Sequence, residues 1–280
     1  MIQTITQSIG ENSMNLEPTL VYLPFKEYTE LNAISHSDLR LANRSMRHYQ
    51  LGARVEPNAS MILGSATHTY ILEPEKFASE YMVVAPYDRR TKEGKLLHEK
   101  LLDDAAGRHL FPEAEMLKLT CMKRELEKTR TWKMLREEPW QVELTAQWRH
   151  EPTNLACKGR PDAIFGNTLI EFKTTSRASA WQFQKTILEY GYHTQLAYYS
   201  EGLRKCGIQV AHCIIIAQET EPPFLTAFYR LNDEALKLGA DQNETTLKRI
   251  KYALESGEYE GYPDMLLDID LPKYMYDSTL

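Results

Sequence analysis

Pro161-Asp162 and Glu171-Phe172-Lys173 set two carboxylates and an ammonium on either side of Gly166-Asn167, a dipeptide suited to a two-residue hairpin loop. Pairing outward from that loop sets Phe165 against Thr168, Ala163 against Ile170 and Asp162 against Glu171, and Arg160 falls opposite Lys173. Side chains alternate along a strand, so Arg160, Asp162, Glu171 and Lys173 share one face while Ala163, Ile170 and Phe172 point into a core. Directly opposed residues have Cβ atoms about 4.5–5.5 Å apart, and two like charges there are unfavourable. A hard divalent cation with oxygen ligands removes the conflict. Lys173 lies within reach of any oxyanion held beside that cation. The strip suits phosphodiester hydrolysis: the cation activates water and clamps the phosphate, and the lysine orients the water or stabilises developing charge. Two alternatives stay open. The carboxylates could be solvated partners of Arg160 and Lys173, and a one-residue slip of register would put them on the wrong face.

Other residues have spacing that could serve such a site. Gly64 and His68 are four apart, hence on one helix face, and glycine there permits close approach to a sheet or a substrate. Gln195 and Tyr199 share a face in the same way, with plain aromatic packing as the competing explanation for Tyr199. Glu143 lies on the polar face of a strand, beside Thr145 and Gln147, and could be an auxiliary acid. Arg40, Arg44 and Arg47 form a basic stripe, and Arg89, Arg90, Lys92 and Lys95 a second cluster. Either could hold DNA phosphates, or be a solvated face.

The elements that must position these residues follow from periodicity. Residues 1–33 read as irregular. Ser35 or Ser37 can cap a helix through Asp38 to about Tyr49. Residues 60–72, 91–106 and 113–138 read as further helices. From 142 to 148 the pattern changes to alternation, then residues 155–165 and 168–174 complete a three-strand meander. Helices follow over 178–189 and 194–205, strands over 210–218 and 224–231, and a last helix from Asp233 to Ser256, stopped by Gly257. That order predicts the α/β class: a mixed sheet flanked by helices.

The chain has 280 residues, 42% of them hydrophobic and 26% charged, which suits a folded α/β domain and excludes a disordered chain. No apolar run approaches the roughly 18 residues of a membrane span. The N-terminal residues have no basic-then-apolar leader pattern, so a cytoplasmic protein is expected. Four cysteines without a C-x-x-C pair argue against zinc ribbons, iron–sulfur clusters and a disulfide framework. The net charge of −6 runs against non-specific nucleic-acid binding, so positive charge must be concentrated locally.

At this point the residues resemble a known pattern. Pro161-Asp162 with Glu171-Phe172-Lys173 reads as a complete PD-(D/E)xK nuclease signature. Gly64 to His68 resembles the G-x-x-x-H helix element of RecB-like nucleases, and Gln195 to Tyr199 resembles their Q-x-x-x-Y element. Residues 34–49 and 143–173 look like the nuclease domain of the RecE exonuclease family, often of phage or prophage origin. The resemblance implies a restriction-endonuclease-like core with extra N-terminal helices over 34–262, and a tail over 263–280. It implies Asp162, Glu171 and Lys173 as catalytic residues, and His68, Asp162 and Glu171 as metal ligands. Gln195 and Tyr199 would stand beside them, with Arg40, Arg44, Arg47 and Arg160 toward DNA. It further implies Mg²⁺, with Mn²⁺ as a substitute, and 5′-to-3′ digestion of linear double-stranded DNA. A ring-shaped homo-oligomer and a single-strand-annealing recombinase partner belong to the same expectation. The rivals are a structure-specific or restriction-like endonuclease, a nuclease-like module that only binds, and a phosphohydrolase of small substrates.

Overall fold

The computed structural model describes residues 17–52 and 58–271. The described residues open with strand β1 (Thr19–Tyr22) and a short helix α1 (Phe25–Glu30), where the sequence reads as irregular. β1 owes its order to pairing with a distant strand, which local periodicity cannot reveal.

Next come α2 (His36–Arg44) and α3 (Met46–Leu51), where the sequence predicts one helix. Ser35 caps α2 through a capping box with Asp38, whose carboxylate accepts the Ser35 N–H at 2.7 Å. Ser45 takes an extended backbone and caps α3, its hydroxyl accepting the His48 N–H at 3.2 Å. The stripe Arg40–Arg44–Arg47 is thereby broken, because Arg47 belongs to the second helix.

Helix α4 (Ala59–Leu72) is capped by Asn58 and followed by α5 (Pro74–Glu80). A small parallel pair, β2 (Tyr81–Val84) and β3 (His109–Pro112), is joined through α6 (Lys92–Ala105). The three short elements α5, β2 and β3 carry no periodic signal. Helices α7 (Glu113–Lys128) and α8 (Arg130–Leu135) divide the segment expected as one helix, because the Thr129 hydroxyl accepts the Trp132 N–H at 3.3 Å and starts α8.

The strands β4 (Gln141–Val142), β5 (Leu144–His150), β6 (Leu155–Gly159), β7 (Ala163–Phe165) and β8 (Thr168–Thr175) correspond to the expected meander. They do not form one sheet. β4, β7 and β8 join β9 (His212–Glu219) and β10 (Thr226–Arg230) in a five-stranded mixed sheet ordered β10-β9-β8-β7-β4. β5 and β6 instead pair with β1 in a three-stranded antiparallel sheet. The two crossing points are Glu143, whose φ of 54° lies in the left-handed region, and Arg160-Pro161-Asp162. Proline donates no N–H and holds the residue before it extended, so a ladder breaks there. Thr145, expected on a solvated face, is fully buried as a result of this second sheet.

The remaining helices are α9 (Ala180–Tyr190), α10 (Tyr192–Lys205) and α11 (Asp233–Ser256), the last with Asn232 as cap and Gly257 at φ 75°. Helices cover both faces of the five-stranded sheet. On one face Leu169, Ile215 and Ala217 meet Leu196 and Leu203 of α10, Ile250 of α11 and Leu39 of α2. On the other Ile170, Phe172 and Ile216 meet Leu126, Trp132 and Ile71. Each fully buried side chain of this size contributes about 1.5–3 kcal/mol. A third cluster around Phe77, Phe111 and Met122 seats the β2–β3 pair beside α4. Among the described residues the cysteines are unpaired, two of them buried, and no helix is long and apolar enough to cross a membrane.

Candidate active site

β8 is an interior strand, paired antiparallel with β7 and parallel with β9. Its alternation puts Ile170 and Phe172 in one core and leaves Glu171 and Lys173 on the opposite side. The observed register, Phe165 with Thr168 and Ala163 with Ile170, is the one expected from the Gly166-Asn167 loop. The ladder ends at Ala163, but the chain continues alongside β8 for one more residue. The Asp162 N–H donates to Glu171 Oε1 at 3.3 Å, and Asp162 Oδ2 accepts the Phe172 N–H at 2.6 Å.

Beyond Asp162 the extended register fails. Arg160 does not face Lys173. Its guanidinium pairs with Glu143 and donates to the Leu23 carbonyl at 2.9 Å, with the rings of Tyr22, Phe25 and Tyr28 about it. The break at Pro161 turns it there. Expected on the DNA side, Arg160 lines the same cavity as His68 and Asp162 and is a counter-ion to Glu143, its side chain 8% exposed.

Helix α4 brings His68 to the same point. Its ring lies edge-on to Phe172, 5.6 Å between centroids, and Nδ1 is 3.3 Å from Asp162 Oδ1. Glu143 arrives from the crossing between the two sheets, tied by its N–H to the Asp162 carbonyl at 3.1 Å. One ligand atom each from His68, Glu143 and Asp162 lies within 4.8 Å of the others. Glu143, expected only as an auxiliary acid, thus joins two of the three expected ligands. Glu171 stands beside it and holds Lys173 instead, Oε2 to Nζ 2.7 Å.

The electrostatics follow from this crowding. Burial, then the Asp162 carboxylate, pushes Glu171 up to about 7 against the pull of Lys173. Burial would also raise Asp162, but His68 and Lys173 outweigh it and hold that carboxyl below the usual range. His68 is raised because Asp162 overrides burial. Burial works against the Lys173 ammonium, yet Glu171 and Asp162 hold it firmly protonated. Burial and Asp162 push Glu143 up despite Arg160. A site in which burial and Asp162 raise two further carboxyls, and which offers one imidazole nitrogen and several carboxylate oxygens, fits a hard divalent cation.

These residues open onto a cavity of about 700 Å³ lined by His68, Glu143, Asp162, Tyr199, Tyr28 and Phe25, among others. A family described as the PDDEXK-like domain of unknown function (DUF3799) matches residues 28–262. The chain belongs to that family. Its fold is shared with a candidate exonuclease of Eubacterium rectale at 14% identity and a TM-score of 0.62, covering 93% of this chain and all of that one. An alkaline exonuclease of Laribacter hongkongensis is more distant, with 12% identity and a TM-score of 0.34 over 82% of this chain and 93% of that one. No curated protein matches the chain.

The remaining expected residues of this PDDEXK-like site are scattered over several places. Tyr199 lines the cavity and accepts a hydrogen bond from Gln195 Nε2 at 3.1 Å. Its ring lies against Gly159, where a Cβ would sit 2.8 Å from Tyr199 Cδ1. Gly64 also lines the cavity, but a Cβ there would make only ordinary contact with Thr174 at 3.4 Å, so the sheet does not demand a glycine. Arg40 and Arg44 are not part of the acidic cluster. They line a separate cavity of about 670 Å³ with Tyr190, His193 and Arg249. Arg47 donates to Gln50 at 2.6 Å on the exposed side of α3. In the second basic cluster Arg90 is paired with Asp88 at 3.0 Å.

Two site residues escape a reading of the sequence. Tyr192 places its ring 5.1 Å from Lys173 Nζ. It lies three residues before Gln195, on the same helix face, so the Gln195–Tyr199 spacing extended backward could have found it. Tyr28 has no such signal, because contacts distant in sequence hold α1 at the cavity, the Tyr28 carbonyl accepting from Lys158 Nζ at 2.9 Å.

Proposed function

We propose that this protein is a divalent-metal-dependent deoxyribonuclease that degrades linear double-stranded DNA from its ends. The observation that carries the reading is the convergence of His68, Glu143 and Asp162 within 4.8 Å, beside a Glu171–Lys173 pair and an open cavity. Family membership supports the class of chemistry, since the PD-(D/E)xK signature supplies Asp162 of this cluster and the adjacent Glu171 and Lys173. The exonuclease description attached to the Eubacterium rectale protein favours action at ends.

His68, Glu143 and Asp162, with Glu171, would hold the cation, which we take to be Mg²⁺ or Mn²⁺. When bound, it would supply Lewis acidity toward the phosphate and lower the pKa of water. The chain's own contribution is positional and electrostatic. Lys173 stays protonated, fixed by Glu171 and the Tyr192 ring, and offers a cation for charge that grows on the phosphate in the transition state. Glu171 must lose its proton to act as a ligand, so the site fills more readily as pH rises toward 7. Tyr199, held by Gln195, walls the cavity and limits water.

Resemblance to the RecE family extends the reading to 5′-to-3′ polarity, a ring-shaped homo-oligomer and a single-strand-annealing recombinase partner, in recombination of phage or prophage type. End-labelled linear duplex and a covalently closed circle of the same sequence test the core of it. Linear DNA should be degraded with Mg²⁺ or Mn²⁺ and left intact in EDTA, and the circle should persist. Cleavage of the circle would make the site an endonuclease, and full activity in EDTA would overturn the mechanism.

A further inference from the structure

Phe25 is 67% exposed, yet it lines the same cavity as His68, Glu143 and Asp162. Its place at the cavity is set by its neighbours. It begins α1 directly after Pro24, and its ring stacks on Tyr28 with centroids 6.2 Å apart and planes 29° apart. The Arg160 guanidinium lies 5.7 Å from the Phe25 ring and 5.9 Å from Tyr28. Arg160 is itself held by Glu143 and the Leu23 carbonyl. A continuous set of contacts therefore runs from the metal-binding cluster through Glu143 and Arg160 to an aromatic ring with most of its surface open.

We propose that Phe25 is a stacking platform for a nucleobase at the DNA end being processed. The inference rests on the nuclease reading of the adjacent cluster. The chemistry of the cavity selects a base over other parts of the substrate. Glu73, Glu80, Glu143 and Asp162 line it, so its wall repels phosphate except where cations stand. A nucleobase is uncharged and presents a π face to the ring, and its exocyclic amino groups can donate to carboxylates. The volume of about 700 Å³ lies in the range that holds nucleotide-sized ligands. A rigid ring with two side-chain torsions loses little entropy on stacking. Arg160, which also lines the cavity, adds a cation beside the ring pair.

Stacking of one base on an aromatic side chain is worth roughly five- to hundredfold in affinity. The test uses the full chain and linear duplexes carrying an abasic residue at one or other terminal position. Wild type with Mn²⁺ should show a KM raised by about that factor on one of the abasic ends, with kcat changed less. Phe25→Leu keeps apolar packing on Tyr28 but removes the π face. It should lose the same factor on intact DNA and lose nothing more on the abasic end, and Phe25→Trp should restore the wild-type pattern. An abasic penalty equally large in Phe25→Leu overturns the proposal, as does no penalty in wild type at either position. Binding is read separately with 2-aminopurine at the terminal position in Ca²⁺. Its fluorescence should be quenched by wild type and not by Phe25→Leu, and equal signals from the two proteins overturn the stacking. Were wild type to cleave no DNA with Mg²⁺ or Mn²⁺, the nuclease reading would fall and this fluorescence would still decide the role of Phe25.

Discussion

At the scale of single residues the site is a problem in unbalanced charge. Glu171 is 1% exposed, close to Asp162, and has its titration pushed up to about 7 from 4.5. A raised pKa means that the protonated form is favoured by folding. The stability it contributes is fully present below about 4.5 and is lost as pH rises toward 7. Asp162 is shifted the other way, so its contribution fails only in acid, below its ordinary value of 3.8, and does not overlap that window. In EDTA the melting temperature of wild type should therefore fall relative to Glu171→Gln between about pH 5 and pH 7.5. At about 1.4 kcal/mol per pK unit and 2–4 °C per kcal/mol, the difference should reach several degrees. Saturating Mn²⁺ should reverse the trend in wild type, because the cation replaces the proton. A difference that ignores pH would make Glu171 an ordinary ionised partner of Lys173. Asp162, Glu171 and Lys173 are legible in the sequence because one hairpin with a recognisable loop contains all three. The rank of Glu143 is not legible, because it depends on a left-handed backbone at that residue and on Arg160 turning away from the hairpin.

At the scale of elements, close approach decides what the site can be. β6 ends at Gly159, and α10 lays Tyr199 on it so tightly that an added Cβ would meet the ring at 2.8 Å. Gly159→Ala should cost about 1–3 kcal/mol by overpacking, and should displace the Tyr199 ring from the cavity wall. Urea titration reads the first effect. A KM rise larger than that of Tyr199→Phe reads the second, since the phenylalanine keeps the ring in place and loses only the Gln195 hydrogen bond. An unchanged KM in Gly159→Ala would separate Tyr199 from substrate. The end of the long helix α11 could be read from Gly257, because a cap is local chemistry. The splitting of α2 from α3 and of β4 from β5 could not. Ser45 and Glu143 each leave the surrounding pattern intact and change only the direction of the chain.

For the whole molecule, a net charge of −6 sits on a protein proposed to bind a polyanion. The favourable charge must come from cations in the cluster, from Lys173 and from a limited basic surface. Arg40 and Arg44 share a cavity with Arg249, whereas Arg47 stands apart on α3. If that cavity receives the DNA backbone, Arg40→Gln with Arg44→Gln should lower the salt slope of DNA binding by about 0.9 for each phosphate that is no longer neutralised. Arg47→Gln should leave the slope as it was. Equal slopes in all three proteins would return the arginines to solvent. A different consequence follows from the two kinds of element that meet at the site. β8 is flanked by strands on both sides and is buried over most of its length, while the six-residue α1 contains no buried residue. Backbone amides of β8 should exchange with deuterium only when the whole domain opens, and those of α1 through local fraying. The wall that carries Phe25 can then swing aside and return many times during the life of one folded molecule, while the carboxylates and the lysine never leave their places.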